Sequence, residues 1–393
     1  MAVLYEEDLP ILMAEINKRI NEKVGKEYSF IIDQSKSDPV SIITLNEVYE
    51  PSTPAEWMTA LGIKPCVVHE GTVLYYLNPN NFRYTADGIN ADIVTPGNDV
   101  MIEIPRMGIR CVKLSDTRAC VTITKKSHAT GFDYRAFSCD TYNDSSKLYV
   151  GAYEAYAKDN KLYSVSGKVP TTGAALGTYR KYAKARGIGY SIVTYSIDTL
   201  LQCIYCLIFR HTNSQSVVGS GYTVASHTAP LISGGSDAYG MNSELCTGSV
   251  QTDANHHVKF CGLESFWGNT QTLEDGIGID SMGNIKLAPT VSACNDTFDK
   301  YEVVAVGPTT NYNGFVSKML LANGAIFVPT VVEGSSASYY SDYGSFENRN
   351  GVITAFGGYY ASALYSGVFY RNSSITTTAS PQTCGSRLIY LAR

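Results

Sequence analysis

The chain has 393 residues, of which 44% are hydrophobic and 17% charged, and its formal net charge is -5. That length exceeds what one hydrophobic core usually organises, and the composition excludes disordered, fibrous and collagen-like classes. The charge excludes nucleic acid as the main partner, because phosphate binding needs clustered Lys and Arg and the nearest approach is Lys125-Lys126, which reads as a solvated turn.

In chain order, Leu9, Leu12, Ile16, Ile20 and Val24 recur every three or four residues between Glu6 and Lys26, which predicts an amphipathic helix. Such a helix packs on its own domain or serves as a handle for oligomerisation or docking. The acidic start and short apolar run fit neither a signal peptide nor a membrane span, so folding in the cytoplasm without membrane insertion is expected. From Tyr28 to about Asn90, short apolar runs alternate with turn-rich pieces such as EPSTP and NPNN, which predicts strands and loops. DVMIEIPRMGIRCVKL and RACVTITK read as paired strands, and KLYVGAYEAYAKDNKLYSVSG as two more around the turn Lys158-Asp159-Asn160.

Thr171 to Arg186 reads as a helix capped by threonine and stopped at Gly187; Ser196 to Arg210 reads as a second, capped by Ser196, with Asp198 in its first turn. Nearly two hundred residues of short apolar runs rich in Gly, Ser, Thr and Asn follow. That order predicts an α+β fold rather than a strand–helix alternation. The expected division is a smaller helix-plus-strand region over 1–94, for attachment or oligomerisation, and a larger domain over 95–393.

The candidates for chemistry each have a structural alternative. Ten cysteines show no disulfide framework, and Cys203 and Cys206, inside the apolar run SIDTLLQCIYCLIFRH, read as core thiols rather than half a metal site. His256-His257 are neighbours, which a strand sends to opposite faces. Glu274-Asp275 could work as an acid–base pair but read as a surface turn before Gly276. GSGYT and GGSDAYG lack the GK[ST] of a phosphate loop and read as ordinary loops. No cofactor, metal or catalytic set is expected. The oddity is 29 Tyr against 13 Phe and 2 Trp: a large ring with a polar tip suits half-exposed surfaces. Residues 335–384 alone hold ten Ser and seven Tyr and no Lys, His, Met or Trp, the chemistry of antibody paratopes.

The run LYVGAYEAY, two helices, FCGLESFWGNTQTLEDGI and GVFYRNSS…CGSRLIYLAR resembles the C-type-lectin-like fold shared by formylglycine-generating-enzyme relatives and the variable proteins of diversity-generating retroelements, most of all the gut-phage type. The resemblance covers roughly 95–393. It implies two helices with twisted antiparallel strands, and a framework of Phe356-Gly357-Gly358, Gly367-Val368-Phe369-Tyr370 and Gly385-Ser386-Arg387-Leu388. In that family a reverse transcriptase copies a template repeat carelessly at adenines, so Asn codons become other residues. The positions this carries over as diversified and ligand-binding are Tyr359, Ala361, Ser362, Tyr365, Asn372, Ser374, Ile375, Ala379, Pro381 and Thr383, with Tyr339, Ser341, Tyr343 and Ser345 beside them.

The implied function is a receptor-binding display protein of a phage tail. Its implied partners are a host-surface protein or glycan, other tail proteins and a second copy of itself. The alternatives are a structural tail or baseplate protein, and an orphan enzyme of the formylglycine-generating type. Those enzymes use a pair of cysteines near the C-terminal end, where this chain has only Cys384, in a slot that reads as core. Trp267-Gly268-Asn269 superficially resembles the WND of calcium-binding lectins but reads as a packing element.

Overall fold

The computed structural model describes residues 27–392, apart from 48, 50, 141, 142 and 242–253. The amphipathic run before Glu27 lies outside the described residues.

Alternation of apolar and polar residues in Glu27–Asp33 buries Tyr28, Phe30 and Ile32 on one side, and this strand joins a four-stranded antiparallel sheet in the order Ile43–Leu45, Glu27–Asp33, Arg118–Thr124, Gly108–Lys113. A second, seven-stranded sheet runs Tyr190–Ile192, Leu388–Leu391, Lys147–Gly151, Asn98–Pro105, Lys64–His69, Thr72–Asn78, Asn81–Thr85. All its pairs are antiparallel. The third sheet runs Glu302–Val306, Asn284–Leu287, Gln271–Ile279, Val352–Gly357, Gly367–Thr376, Tyr343–Phe346, Tyr312–Phe315, and within it Gly367–Thr376 and Tyr343–Phe346 are parallel. Strands dominate this α+β fold.

The division expected at residue 94 needs correction. Lys64–His69 pairs with Asn98–Pro105 over six residue pairs, and one apolar core runs from Tyr28 through Phe82, Ile204 and Phe369 to Leu391. The backbone groups of Lys64–His69 are satisfied by Asn98–Pro105, so this strand belongs to the body. The C-terminal strand Leu388–Leu391 lies one strand away from Asn98–Pro105, with Lys147–Gly151 between them.

Three helices of eight residues or more stand among the described residues. Pro54–Leu61 is missing from the sequence reading, which took EPSTP as a turn. Its signal is a capping box: Thr53 accepts from the Glu56 amide, Glu56 reaches back to Thr53, and Pro54 opens the first turn. Trp57 then packs edge-on against Tyr28 and Tyr49. The second helix spans Leu176–Lys184 and begins later than expected, with no side-chain cap, because Thr171 Oγ1 accepts the Ala157 amide (2.8 Å) instead. The third, Tyr195–Phe209, is capped by Thr194 rather than Ser196 and ends at Arg210 in the left-handed region (φ 53°). It is buried nearly all round, against the strands Gln271–Ile279 and Glu27–Asp33.

Candidate ligand-binding surface

The strand Gly367–Thr376 alternates at its end: Arg371, Ser373 and Ile375 point into the fold, while Asn372 and Ser374 are half-buried on the outer side. Its parallel neighbour Tyr343–Phe346 does the same, presenting Tyr343 and Ser345 outward. The parallel register sets Ser345 opposite Asn372, and the Ser345 hydroxyl donates to Asn372 Oδ1 (3.1 Å). Asn372 Oδ1 also accepts from the Ser374 hydroxyl (2.6 Å), and its Nδ2 donates to Gln271 Oε1 (3.2 Å). Gln271 in turn binds Thr383 through its amide (3.0 Å, to the carbonyl). One polar network thus joins four candidate positions from three separate segments.

Beside it lies an aromatic cluster. Tyr343 and Tyr365 have ring centroids 4.4 Å apart, and each lies 5.6 Å from Phe315. Tyr365 is 46% exposed. The buried Tyr370 phenol reaches the polar network, its hydroxyl donating to Gln271 Oε1 (3.4 Å), and burial pushes its ionisation up. Tyr359 packs edge-on against Tyr360 (5.5 Å). Next to these, the loop Tyr222–His227 stacks its two rings at 3.8 Å, and His227 Nδ1 lies 3.2 Å from the Tyr360 carbonyl.

Three candidates are corrected because they are buried. Ser341 lies in a left-handed bend (φ 58°) with its hydroxyl turned to Ser338 O. Ser362 is used up locally, its oxygen accepting the Tyr359 amide (2.8 Å) to close the turn. Ile375 fills an apolar cluster with Leu273, Ile353 and Leu388. Tyr339 is half-buried away from the network, with its backbone tied to Ser37 (2.7 Å) and Thr212. Ala361 is half-buried in the Tyr359–Ser362 turn; Ala379 packs against the apolar cluster, and Pro381 caps a turn that receives the Cys384 amide (3.0 Å). The sequence reading passed over Phe315, Tyr222 and Tyr360, which lie beside these positions, and over Gln271 and Tyr370, which are buried and support them from within. Gln271 carried no signal, since it opens a strand whose residues are all buried.

What holds this surface is a buried ion network. Arg371, one residue before Asn372 and pointing the other way, is fully buried. Its guanidinium donates to Asp198 Oδ2 (2.8 Å), to Gln202 Oε1 (3.3 Å) and to Glu274, and it stacks over the Tyr195 ring (4.9 Å). Burial, aided by neighbouring Glu274, holds Asp198 well above the usual carboxylate range. The expectation of a surface turn at Glu274-Asp275 therefore fails, whereas Asp198 does stand in the first turn of its helix, buried there. These carboxylates are internal partners, and Asp275 pairs with Arg180 in a bidentate fork (2.6 and 2.8 Å).

The turn above is fastened from below. Gln215 Nε2 donates to Leu364 O (2.8 Å) and Ser366 O (2.5 Å), and Gln202 Nε2 donates to Val368 O (2.7 Å). Gly358 has φ +76°, and a Cβ there would lie 2.1 Å from Ser366 Oγ, so only glycine fits.

Other candidates resolve as structure. Trp267 is fully buried and donates to Gly219 O (2.9 Å). GGSDAYG does cradle an anion, but the chain's own: the amides of Gly234 (2.7 Å) and Ser236 (2.8 Å) bind Glu264. His257 is buried between Ser265 Oγ (2.7 Å) and Ile232 O (2.9 Å), while His256 is exposed. The described cysteines are free thiols, all buried except Cys120, which is half-buried. Among the described residues no group of three or more His, Cys, Asp or Glu could hold a metal ion, and no helix is long and apolar enough to cross a membrane.

No family model matches the chain, and no curated protein does. Among solved structures it is similar to variants of the Major Tropism Determinant. With the U1 variant it shares 11% identity at a TM-score of 0.29, covering 94% of this chain and 72% of that one. With the M1 variant the values are 11%, 0.30, 94% and 72%. With the I1 variant they are 12%, 0.29, 94% and 73%.

Proposed function

We propose that this protein is a receptor-binding display protein of a phage tail, which holds a diversifiable Tyr/Ser surface on a rigid C-type-lectin-like body. The observation that carries the reading is convergence. Tyr343, Ser345, Asn372 and Ser374 come from two separate strands to one side of one sheet, opposite the Arg371 network, with the Tyr365 ring against Tyr343 and the Thr383 carbonyl bonded by Gln271. Tyrosine buries a large ring while freezing few torsions, and serine adapts its hydrogen bonds, so such a surface binds a host-surface protein or glycan without building a pocket. The tilted packing of Tyr343 against Tyr365 and the Asn372 network hold these side chains before any ligand arrives, which lowers the ordering cost of binding. Several copies on one particle would add avidity to weak single contacts. The lectin-like body is supported by the close approach of Leu388–Leu391 to Asn98–Pro105, and by two helices preceding the sheet that carries the surface.

The test is binding of the full chain, fluorescently labelled, to a panel of intact bacterial cells. Replacing Tyr343, Tyr359 and Tyr365 together by Ala should abolish cell binding while the thermal midpoint stays within a few degrees. Unchanged binding by the triple variant would sink this reading and leave the structural tail protein in its place.

A further inference from the structure

Between the helix Pro54–Leu61 and the strands Lys64–His69 and Thr72–Asn78 runs a groove of about 480 Å³. Its floor is apolar and buried, made by Met58, Leu77 and Met241, and its walls are the exposed Ala55, Thr59 and Pro79. The exposed Tyr76 ring carries the apolar lining onto the sheet, with Lys64 Nζ over it (5.6 Å). Both strands are paired on each side, Lys64–His69 with Asn98–Pro105 and Thr72–Asn78, and Thr72–Asn78 also with Asn81–Thr85. The groove therefore offers side chains and no open backbone ladder. An occupant has to arrive with its own backbone bonds closed, as a helix does, and two methionines on the floor suit the uneven surface of a helix.

We infer that this groove seats the chain's own N-terminal run, Glu6 to Lys26, with the stripe Leu9, Leu12, Ile16, Ile20 and Val24 laid on Met58, Leu77 and Met241. The sequence pattern of that run is a helix with one apolar face, which is the kind of occupant the groove requires. The run also joins the body beside the groove. Glu27 pairs with Thr124, and the residue after Thr124, Lys125, donates from Nζ to Ala60 O (2.9 Å), next to Thr59 in the groove wall. Length agrees: from Leu9 to Val24 a helix rises about 23 Å, against about 12 Å for the eight residues of Pro54–Leu61, so the stripe can follow the whole groove. Tethering decides between this run and the same run of a second copy, because a short link holds the chain's own run at a high effective concentration. Seated in this way, the run is a clamp on the body rather than a free handle. Its opposite face, with Glu15, Lys18 and Glu22, is the part left for contact with another molecule.

The experiment places a benzophenone amino acid at Ile20 of the full chain and irradiates an equal mixture of isotope-labelled and unlabelled protein. The expected product is a cross-link within one chain, to the peptide holding Met58 or the one holding Met241. Its yield should fall at least tenfold in A55R/T59R, because both positions are exposed in the groove wall and two arginines there would occupy it without entering the core. Cross-links that join labelled to unlabelled chains would give the groove to a second copy and overturn the inference. A yield untouched by the two arginines would also overturn it. Hydrogen exchange gives an independent reading, should the arginine variant fail to fold: I16D/I20D should speed exchange of the amides of Pro54–Leu61 at least tenfold. Unchanged rates would reject the N-terminal run as the occupant and leave the groove to other residues, such as those after Met241.

Discussion

The guanidinium of Arg371 lies 2.8 Å from the Asp198 carboxylate, with both side chains fully buried, and the very next residue, Asn372, faces outward into the polar network of the binding surface. A β-strand sends successive side chains to opposite faces, so one dipeptide carries an anchor on one side and a contact residue on the other. Arg371→Met would leave Asp198 and Glu274 buried without their cation, at a cost of about 3–5 kcal/mol. Adding Asp198→Leu and Glu274→Met should restore much of that loss, because an apolar triad requires no paired charge. Urea denaturation of the single and triple variants checks this, and a single variant as stable as the parent would show the network to be dispensable.

A second consequence concerns pH. Burial pushes the Glu154 carboxyl up to about 7 from an ordinary value of 4.5, against the opposing pull of Arg387 and of hydrogen bonds from Thr270 and Asn269. Between those two values the folded protein keeps a proton that the unfolded chain has released. The contribution of this group to stability is therefore fully present below pH 4.5, falls as pH rises to about 7 and is flat above, a change on the order of 3 kcal/mol. The comparison is made with Glu154→Gln, which should flatten the slope of stability against pH from 4.5 to 7. A profile identical to the parent's would show that Glu154 is ionised throughout.

Burial should separate the candidate positions in a stability assay. Ile375→Ala removes atoms from a closed apolar cluster and should cost about 2–5 kcal/mol. Tyr365→Ala, at a half-exposed ring, should cost about 0.5 kcal/mol. Chemical denaturation of the two proteins gives both numbers, and equal costs would mean that the surface assignment is wrong.

Chelation supplies a fourth check. With no metal-holding group among the described residues, an excess of EDTA should move neither the thermal midpoint nor cell binding. A drop in either on chelation, reversed by calcium, would require an ion site in the fold.

The last prediction concerns the DNA. If the C-terminal segment was written by adenine-directed copying, a near-identical repeat should lie near the gene beside a reverse transcriptase, with Asn codons at Tyr343, Ser345, Tyr359, Ala361, Tyr365, Ser374 and Thr383. Natural variants should differ at those positions. Ser341 should keep small residues tolerant of the left-handed region, and Ile375 should stay apolar, because neither site accommodates free exchange. Sequencing the flanking DNA decides it; variation equally frequent at 341 and 375 would contradict the burial argument.

By itself the sequence determined the strand-rich α+β character, two of the three longer helices to within a few residues, and the concentration of Tyr and Ser in 335–384. These rest on local signals: period, caps, turn residues and composition. Only the tertiary structure decided which polar residues are contacts and which are supports. Glu274 reads as part of a surface turn, and neither Asp198 nor Arg371 reads as a buried partner, because nothing local announces a partner 97 or 173 residues away. Ser362 and Ser374 are the same residue type in the same segment, yet one closes a turn and the other faces outward. That difference arises from where neighbouring segments supply donors. Gln271, at the start of a fully buried strand, supports the surface only because Asn372 and Thr383 arrive beside it when the sheet assembles, and long-range strand pairing leaves no trace in the sequence near either partner.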